Sequence, residues 1–179
     1  MLKITVPSVE MFDNKTQTFF SIEEQTLELE HSLVSISKWE SKWCKSFIST
    51  NNKTAEEILD YIKCMTLNDN VDPNVYKCLT KSNITDIDNY IYAPMTATTF
   101  HDERPSGRKP IVTSELIYYW MIASNIPMEC QLWHLNRLLT LIRVCSIKSG
   151  SSKKMSKKEI ANKYASLNAA RKQKLNTKG

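Results

Sequence analysis

The longest hydrophobic pattern in the chain runs from Thr113 to Ile147 and predicts two helices joined at Asn125–Pro127. The first run, 116–123, is apolar on all sides, and Thr113 or Ser114 as a helix cap favours a buried helix over a buried strand. Pro127 fits the first turn of the second helix. We expect this helical hairpin to be the centre of the protein, because its second arm carries two neighbouring apolar stripes. The stripes are Met128, Leu132, Leu135, Leu139 and Ile142, and His134, Leu138, Leu141 and Cys145.

Two further helices are predicted upstream of this hairpin. The segment 32–47 has apolar residues near helical spacing, and its Trp39 and Trp43 favour burial in a core over an interface. Thr54-Ala-Glu-Glu57 is a capping box, which predicts a helix over 55–67.

Two shorter helices follow. Asp72-Pro73 is a start signal for a short helix that continues through Leu79. Asn83 is predicted to cap another helix, which ends before Pro94.

The amino-terminal part of the chain has a β pattern. Residues 2–7 and 16–22 carry β-branched and aromatic side chains on either side of a polar turn, which predicts a hairpin. Residues 27–31 alternate and can add a third strand. The alternative is that Ser21 to Glu24 form a capping box that opens a helix and removes this strand.

These elements predict a mainly α (α+β) protein. Residues 1–148 form a single mostly helical domain with a small β element at 1–31, and 149–179 form a basic flexible tail or a detached helix. Residues 96–110 contain three prolines or glycines and six charged or histidine side chains, which predicts an exposed loop.

Charge is distributed unevenly along the chain. Residues 148–179 hold ten Lys or Arg and one acid, a net charge of +9, whereas residues 1–147 hold fourteen bases and eighteen acids, a net charge of −4. The five cysteines form no C-x-x-C pair and are expected to be reduced. The amino terminus has no apolar run of signal-peptide length and the chain has no membrane-length run, so we expect a cytoplasmic protein.

The residues alone assign no activity. The consecutive His101, Asp102 and Glu103 are metal-capable types, but a solvated loop explains them better than a metal site does. His134 is expected to be a hydrogen-bonded core residue, and His31 is near no nucleophile motif. No phosphate-binding glycine motif occurs. We therefore expect no catalytic residues, no cofactor and no metal, which means that the protein is not an enzyme.

Two features are candidates for partner binding. Trp133 lies one turn before Arg137, so the two side chains can stack, although burial under other helices also explains the tryptophan. The tail can bind nucleic acid nonspecifically, dock onto an acidic protein segment or act only as a solubilising extension. The candidate residues are Trp133, Arg137, Lys153, Lys154, Lys157, Lys158, Tyr164, Arg171 and Lys172.

Several segments of the sequence resemble one protein family. They are LELEHSLVSISKWESKW (27–43), EEILDYIKCMTL (56–67), MTATTF (95–100), SELIYYWMIASNIPMECQLWHLNRLLTLIRVC (114–145) and KKMSKKE with LNAARKQKL (153–175). The block WHLNRLLTLIRV is the most specific. In these residues the chain is similar to the tail assembly chaperone-like proteins of tailed bacteriophages.

The resemblance implies a non-catalytic protein that covers the helical tape-measure protein and brings tail-tube subunits to it in the host cytoplasm. It implies no catalytic residues, and self-association is compatible with it. Two alternatives remain. One is a virion structural or connector protein that stays in the particle, and the other is an accessory protein that binds nucleic acid through its basic tail.

Overall fold

The computed structural model describes residues 1–13, 17–100, 111–150, 162, 164–168 and 170–171. Residues Met1–Arg143 and Val144–Gly179 form two compact units. The protein is mainly α with a small β part, as the sequence predicts. Its strands are β1 (Leu2–Val6), β2 (Val9–Asp13), β3 (Thr18–Ile22) and β4 (Gln25–Leu29). Its α-helices are α1 (Leu33–Trp43), α2 (Ala55–Met65), α3 (Lys81–Tyr92), α4 (Ser114–Ala123) and α5 (Leu135–Gly150), with 3-10 helices at Pro73–Cys78 and Met128–Leu132.

The four strands form one antiparallel ribbon with a break in the middle. β1 pairs with β4 and β2 pairs with β3, and the register is continuous from Leu2 opposite Leu29 to Asp13 opposite Thr18. Pro7 lies at the break, where its missing N–H interrupts the ladder. Strands are confirmed near 2–7, 16–22 and 27–31, but the predicted hairpin of 2–7 with 16–22 is wrong, because β1 pairs with β4 and β3 pairs with β2. The alternative helix at 21–24 is also wrong, since β3 extends to Ile22 and β4 begins at Gln25.

The free edge of β4 is covered by the chain that leaves α2. Leu67 N donates to Glu28 O at 2.8 Å, and Glu30 N donates to Met65 O at 2.9 Å. The side-chain oxygen of Asn68 accepts from Glu28 N at 2.6 Å. This pairing ties the ribbon to the helices and removes an exposed strand edge.

Helix α1 lies in the middle of the helical unit, in contact with α2, α4 and the second 3-10 helix. Its Leu33, Ile36 and Trp39 side chains are fully buried. The indole of Trp39 donates to Glu57 O at 2.8 Å, so a buried polar group is satisfied. The core interpretation of Trp39 is confirmed, whereas Trp43 is half-buried and donates to Asp60.

Local capping explains where the next two helices begin. Thr54 and Glu57 form the predicted capping box, and α2 ends two residues earlier than predicted. The cap of α3 is Thr80, and Asn83 is the third residue of that helix, so the prediction of Asn83 as the cap is wrong. Asn83 can also reach back to Thr80 N, which makes the pair a reciprocal box.

The predicted hairpin differs from the structure in its second arm. Helix α4 begins after the Thr113 cap, and Asn125 has the expected positive φ of 52°. The chain from Met128 then forms the second 3-10 helix, and α5 begins only at Leu135. A continuous helix from Pro127 is therefore wrong, and Met128 and Leu132 of the predicted stripe are exposed instead of buried.

The described part of the tail is helical at residues 162, 164–168 and 170–171. Of the loop predicted at 96–110, residues 96–100 contain no helix or strand, and 101–110 lie outside the described residues. The division between a domain at 1–148 and a tail at 149–179 stays a prediction.

Candidate functional site

Two histidines meet where the strand ribbon leads into the helical core. His31 follows β4 and His134 precedes α5, and the two segments are joined because Leu135 N donates to His31 O at 2.7 Å. A bridge between Ser32 and His134 adds to this connection. The two imidazole rings lie edge to face with their centroids 5.1 Å apart.

His134 is held in its neutral form. Its Nε2–H donates to the carbonyl oxygen of Tyr90 at 3.0 Å, and its Nδ1 accepts from Asn136 N at 3.3 Å. Burial lowers the pKa of His134, and the hydrogen bond to Tyr90 opposes this only in part. The prediction that His134 is a hydrogen-bonded core residue is confirmed.

His31 is buried against a tyrosine. Its side chain is 3% exposed, and its Nδ1 lies 2.5 Å from the hydroxyl oxygen of Tyr61. The other neighbour of that hydroxyl, Ser35 Oγ, is 3.4 Å away and donates its own proton to Ser32 O at 2.8 Å. Because Ser35 Oγ can accept from the Tyr61 hydroxyl, either tautomer of the neutral His31 ring satisfies the hydrogen bond between Nδ1 and that hydroxyl.

Burial, with a smaller contribution from His134, lowers the pKa of His31 to about 3. Burial also raises the pKa of the Tyr61 hydroxyl. At neutral pH the pair is thus a phenol and an uncharged imidazole. The second ring nitrogen of His31, Nε2, is a polar atom in an otherwise largely apolar environment.

His31 lies in the wall of a cleft of about 350 Å³, which we call the His31 cleft. The cleft lies between the segment after α1, helix α2, the end of α3 and the start of α5. Its walls are mainly apolar, with a few polar side chains at the rim. The lining residues are His31, Phe47, Ile48, Asn51, Lys53, Ile58, Tyr61, Asp88, Ile91, Tyr92, Leu135, Asn136 and Leu139.

A second candidate feature lies on α4, the second 3-10 helix and the start of α5. The guanidinium carbon of Arg137 is 4.2 Å from the centroid of the Trp133 ring, so the two side chains stack as the sequence predicts. Tyr118 donates to the Gln131 side chain at 2.9 Å, which holds the 3-10 helix against α4. We call Tyr119, Ile122, Met128, Leu132, Trp133 and Arg137 the 119–137 surface.

The structure describes four of the nine predicted partner-binding residues. Trp133 is half-buried and Arg137 is exposed. Tyr164 and Arg171 are exposed on the described helical part of the tail. The remaining five predicted residues lie outside the described residues: Lys153, Lys154, Lys157, Lys158 and Lys172.

Sequence reasoning missed the His31 cleft. Its histidine and tyrosine are thirty residues apart, and no spacing rule joins them. The one local signal was that His31 falls at a position where the alternating pattern of 27–31 has its apolar residues. His101 lies outside the described residues, and within the described chain no group of three His, Cys, Asp or Glu side chains could hold a metal ion.

Comparison with protein-family models, with curated proteins and with solved structures gives no match to this chain. Fold and site define a mainly α protein with a partly apolar cleft and an exposed apolar surface. Among the described helices, none is both long and apolar enough to cross a membrane.

Proposed function

We propose that the protein is a tail assembly chaperone of a tailed bacteriophage. It binds apolar helical segments of the tape-measure protein without catalysis and keeps them covered until tail-tube subunits assemble around them. The segment resemblance, above all WHLNRLLTLIRV within 114–145, supplies this identity. The structural support for the proposal comes from the exposed side chains of the 119–137 surface.

The observation that carries the proposal is the exposure of large apolar side chains on this surface. Tyr119 and Ile122 are 64% and 65% exposed, and their three-residue spacing places them on one face of α4. Leu132, on the adjoining 3-10 helix, is 60% exposed. Apolar side chains that are concentrated in one short stretch are typical of a protein-binding surface.

The Trp133–Arg137 stack adds an anchor of the kind that dominates binding energy. Tryptophan and arginine are enriched among the residues whose truncation weakens protein complexes most. Stacking also restricts both side chains before the partner arrives, which lowers the entropy cost of binding. The basic tail can add electrostatic attraction to acidic partner segments.

A binding assay with purified components tests the proposal. A Tyr119→Asp/Ile122→Asp double variant should bind a tape-measure fragment at least roughly 30-fold more weakly than the wild type, which corresponds to about 2 kcal/mol. Phe19→Asp is the matched control, because Phe19 is 79% exposed on β3. Equal binding by the double variant and the wild type would contradict the proposed surface.

The second candidate is a virion structural protein that stays in the particle. The Phe12 and Phe19 rings, which lie in tilted contact with centroids 4.9 Å apart near the end of the ribbon, favour it because both are exposed and a permanent interface would bury them. Mass spectrometry of purified particles separates the two. A chaperone is absent from mature particles, whereas a connector is present in a fixed copy number.

A further inference from the structure

The Trp133–Arg137 stack contains two hydrogen-bond donors that have no acceptor. An indole N–H and a guanidinium can only donate hydrogen bonds, whatever the pH. Among the described residues, neither side chain has a hydrogen-bond or ion-pair partner, although the guanidinium carbon lies 4.2 Å from the ring centroid. Arg137 is exposed, and the indole nitrogen of the half-buried Trp133 is not among the sealed, unpartnered atoms of the described side chains. Both donors are therefore open to an acceptor from outside the chain.

The same combination of groups binds a carboxylate elsewhere in this chain. On α1, the Lys42 ammonium lies 5.7 Å from the centroid of the Trp43 ring. The Trp43 indole donates to one carboxylate oxygen of Asp60 at 2.9 Å, and the Lys42 ammonium donates to the other. One carboxylate thus satisfies an indole and a cation together. The Trp133–Arg137 stack has the same two donor types, but no carboxylate of the described chain pairs with them.

Arginine strengthens the preference for a carboxylate over a neutral acceptor. Its planar guanidinium offers parallel N–H donors that match the two oxygens of a carboxylate. The face of the guanidinium lies over the Trp133 ring, so the edge that carries its N–H groups stays uncovered. Because the stack holds this plane before a partner arrives, less entropy is lost on binding.

The charges around the stack disfavour a phosphate backbone as the acceptor. Nucleic-acid binding relies on several cations that each neutralise a phosphate. Residues 113–143 hold two acids and two arginines, so their net charge is zero. The residue before Trp133 is also apolar and open, since Leu132 is 60% exposed. A carboxylate on an apolar polypeptide segment fits these surroundings better than a nucleic acid does.

We propose that the 119–137 surface recognises an aspartate or glutamate side chain that lies among the apolar residues of the partner segment. The carboxylate accepts hydrogen bonds from the Arg137 guanidinium and the Trp133 indole, and the apolar residues of the segment cover Leu132. This inference rests on the proposed function, because the partner is the tape-measure segment that binds at the same surface. It adds a requirement, since apolar segments without an acid bind this surface more weakly.

A double-mutant cycle with a tape-measure fragment tests the inference. The fragment is made in its natural form and as variants in which each aspartate or glutamate in turn becomes the amide. Calorimetry measures the affinity of every form for the full wild-type chain and for Arg137→Gln. Arg143→Gln is the matched control, because Arg143 is exposed on the same helix and lies 4.0 Å from the centroid of another aromatic ring, that of Phe100.

Arg137→Gln should bind the natural fragment roughly tenfold more weakly, because a hydrogen bond between two charged groups is lost. One amide variant of the fragment should lose a similar factor with the wild type and nothing further with Arg137→Gln. Arg143→Gln should bind like the wild type. The indole N–H signal of Trp133 in nuclear magnetic resonance, assigned with Trp133→Phe, should shift with the natural fragment and shift less with that amide variant.

Unchanged affinity of Arg137→Gln, or an equal further loss with every fragment variant, would overturn the inference. Weaker binding by Tyr119→Asp/Ile122→Asp would then still support the proposed function, so the two failures are distinguishable. If the wild type binds no fragment, both are contradicted. If an oligothymidylate shifts the Trp133 indole signal and Arg137→Gln abolishes that shift, the acceptor is a phosphate and the inference is overturned.

Discussion

At the scale of single residues, His31 shows how burial changes the chemistry of a common side chain. An exposed histidine has a pKa near 6.5. Burial, with a smaller contribution from the neighbouring His134, lowers the pKa of His31 to about 3. The folded protein therefore resists protonation that the unfolded chain accepts. This difference makes the fold less stable in mild acid.

The free energy of unfolding should therefore depend on pH. Between pH 6.5 and 3 the unfolded state binds one more proton at His31, so the free energy of unfolding falls as the pH falls. From pH 7 to pH 5, His31 should account for a loss of about 2 kcal/mol. His31→Gln should show a correspondingly smaller loss when urea unfolding is measured at both pH values. An equal loss in both proteins would contradict a neutral, buried His31.

Cys44 is a second residue whose effect on the free energy of unfolding depends on its backbone conformation. It ends α1 in the left-handed region, with φ at 51°, and its side chain is exposed. Glycine adopts this conformation without the steric cost that a Cβ imposes. Cys44→Gly should therefore raise the free energy of unfolding by about 1 kcal/mol in urea titrations. Cys44→Ala keeps the Cβ and should give no such gain.

At the scale of elements, Glu40 connects α1 to two other parts of the chain. Its carboxylate is buried and accepts from Phe47 N at 2.8 Å and from Ser114 N at 2.7 Å. Ser114 is the first residue of α4, so the negative charge also lies at the positive end of that helix. One side chain thereby fixes where α4 begins relative to α1.

Replacing this carboxylate by an amide should be costly. Glu40→Gln leaves one backbone N–H facing an NH₂ group, so one buried hydrogen bond is lost and the charge assistance disappears. We expect the free energy of unfolding to fall by about 1–3 kcal/mol. Glu56→Gln, on the exposed first turn of α2, is the control and should change it by less than about 0.5 kcal/mol. Similar losses in both variants would contradict the bridging role.

Elements with local signals could be predicted from the sequence, and elements set by distant contacts could not. The box of Thr54 and Glu57 lies within four residues, so the start of α2 was predictable. The start of α5 depends on the hydrogen bond from Leu135 N to His31 O, about a hundred residues away in sequence. The helical spacing of Met128 and Leu132 suggested a helix there, but this long-range contact favours a 3-10 turn instead.

The two candidate sites also differ in whether the sequence could predict them. The Trp133–Arg137 stack joins residues one turn apart, and the sequence predicted it. The His31 cleft needs side chains from four separate segments, and periodicity in any one of them gives no sign of it. Ile58 illustrates this, since its position in α2 alone does not show that it lines the cleft.

At the scale of the whole molecule, charge is distributed unevenly along the chain. The mildly acidic residues 1–147 contain the 119–137 surface and the His31 cleft, and most of the positive charge follows Lys148. We propose two modes of attachment to a partner. Apolar contacts through 1–147 should persist in high salt, whereas contacts through the tail should weaken as salt screens them.

The most direct test of the central claim is coexpression with an apolar fragment of the tape-measure protein from the same phage. We predict that the fragment is insoluble alone and becomes soluble in a complex with the full chain. Truncation after Ile147 should weaken this complex, most visibly at low salt. If the fragment stays insoluble with the full chain, and the truncated chain behaves identically, the proposed chaperone function is contradicted.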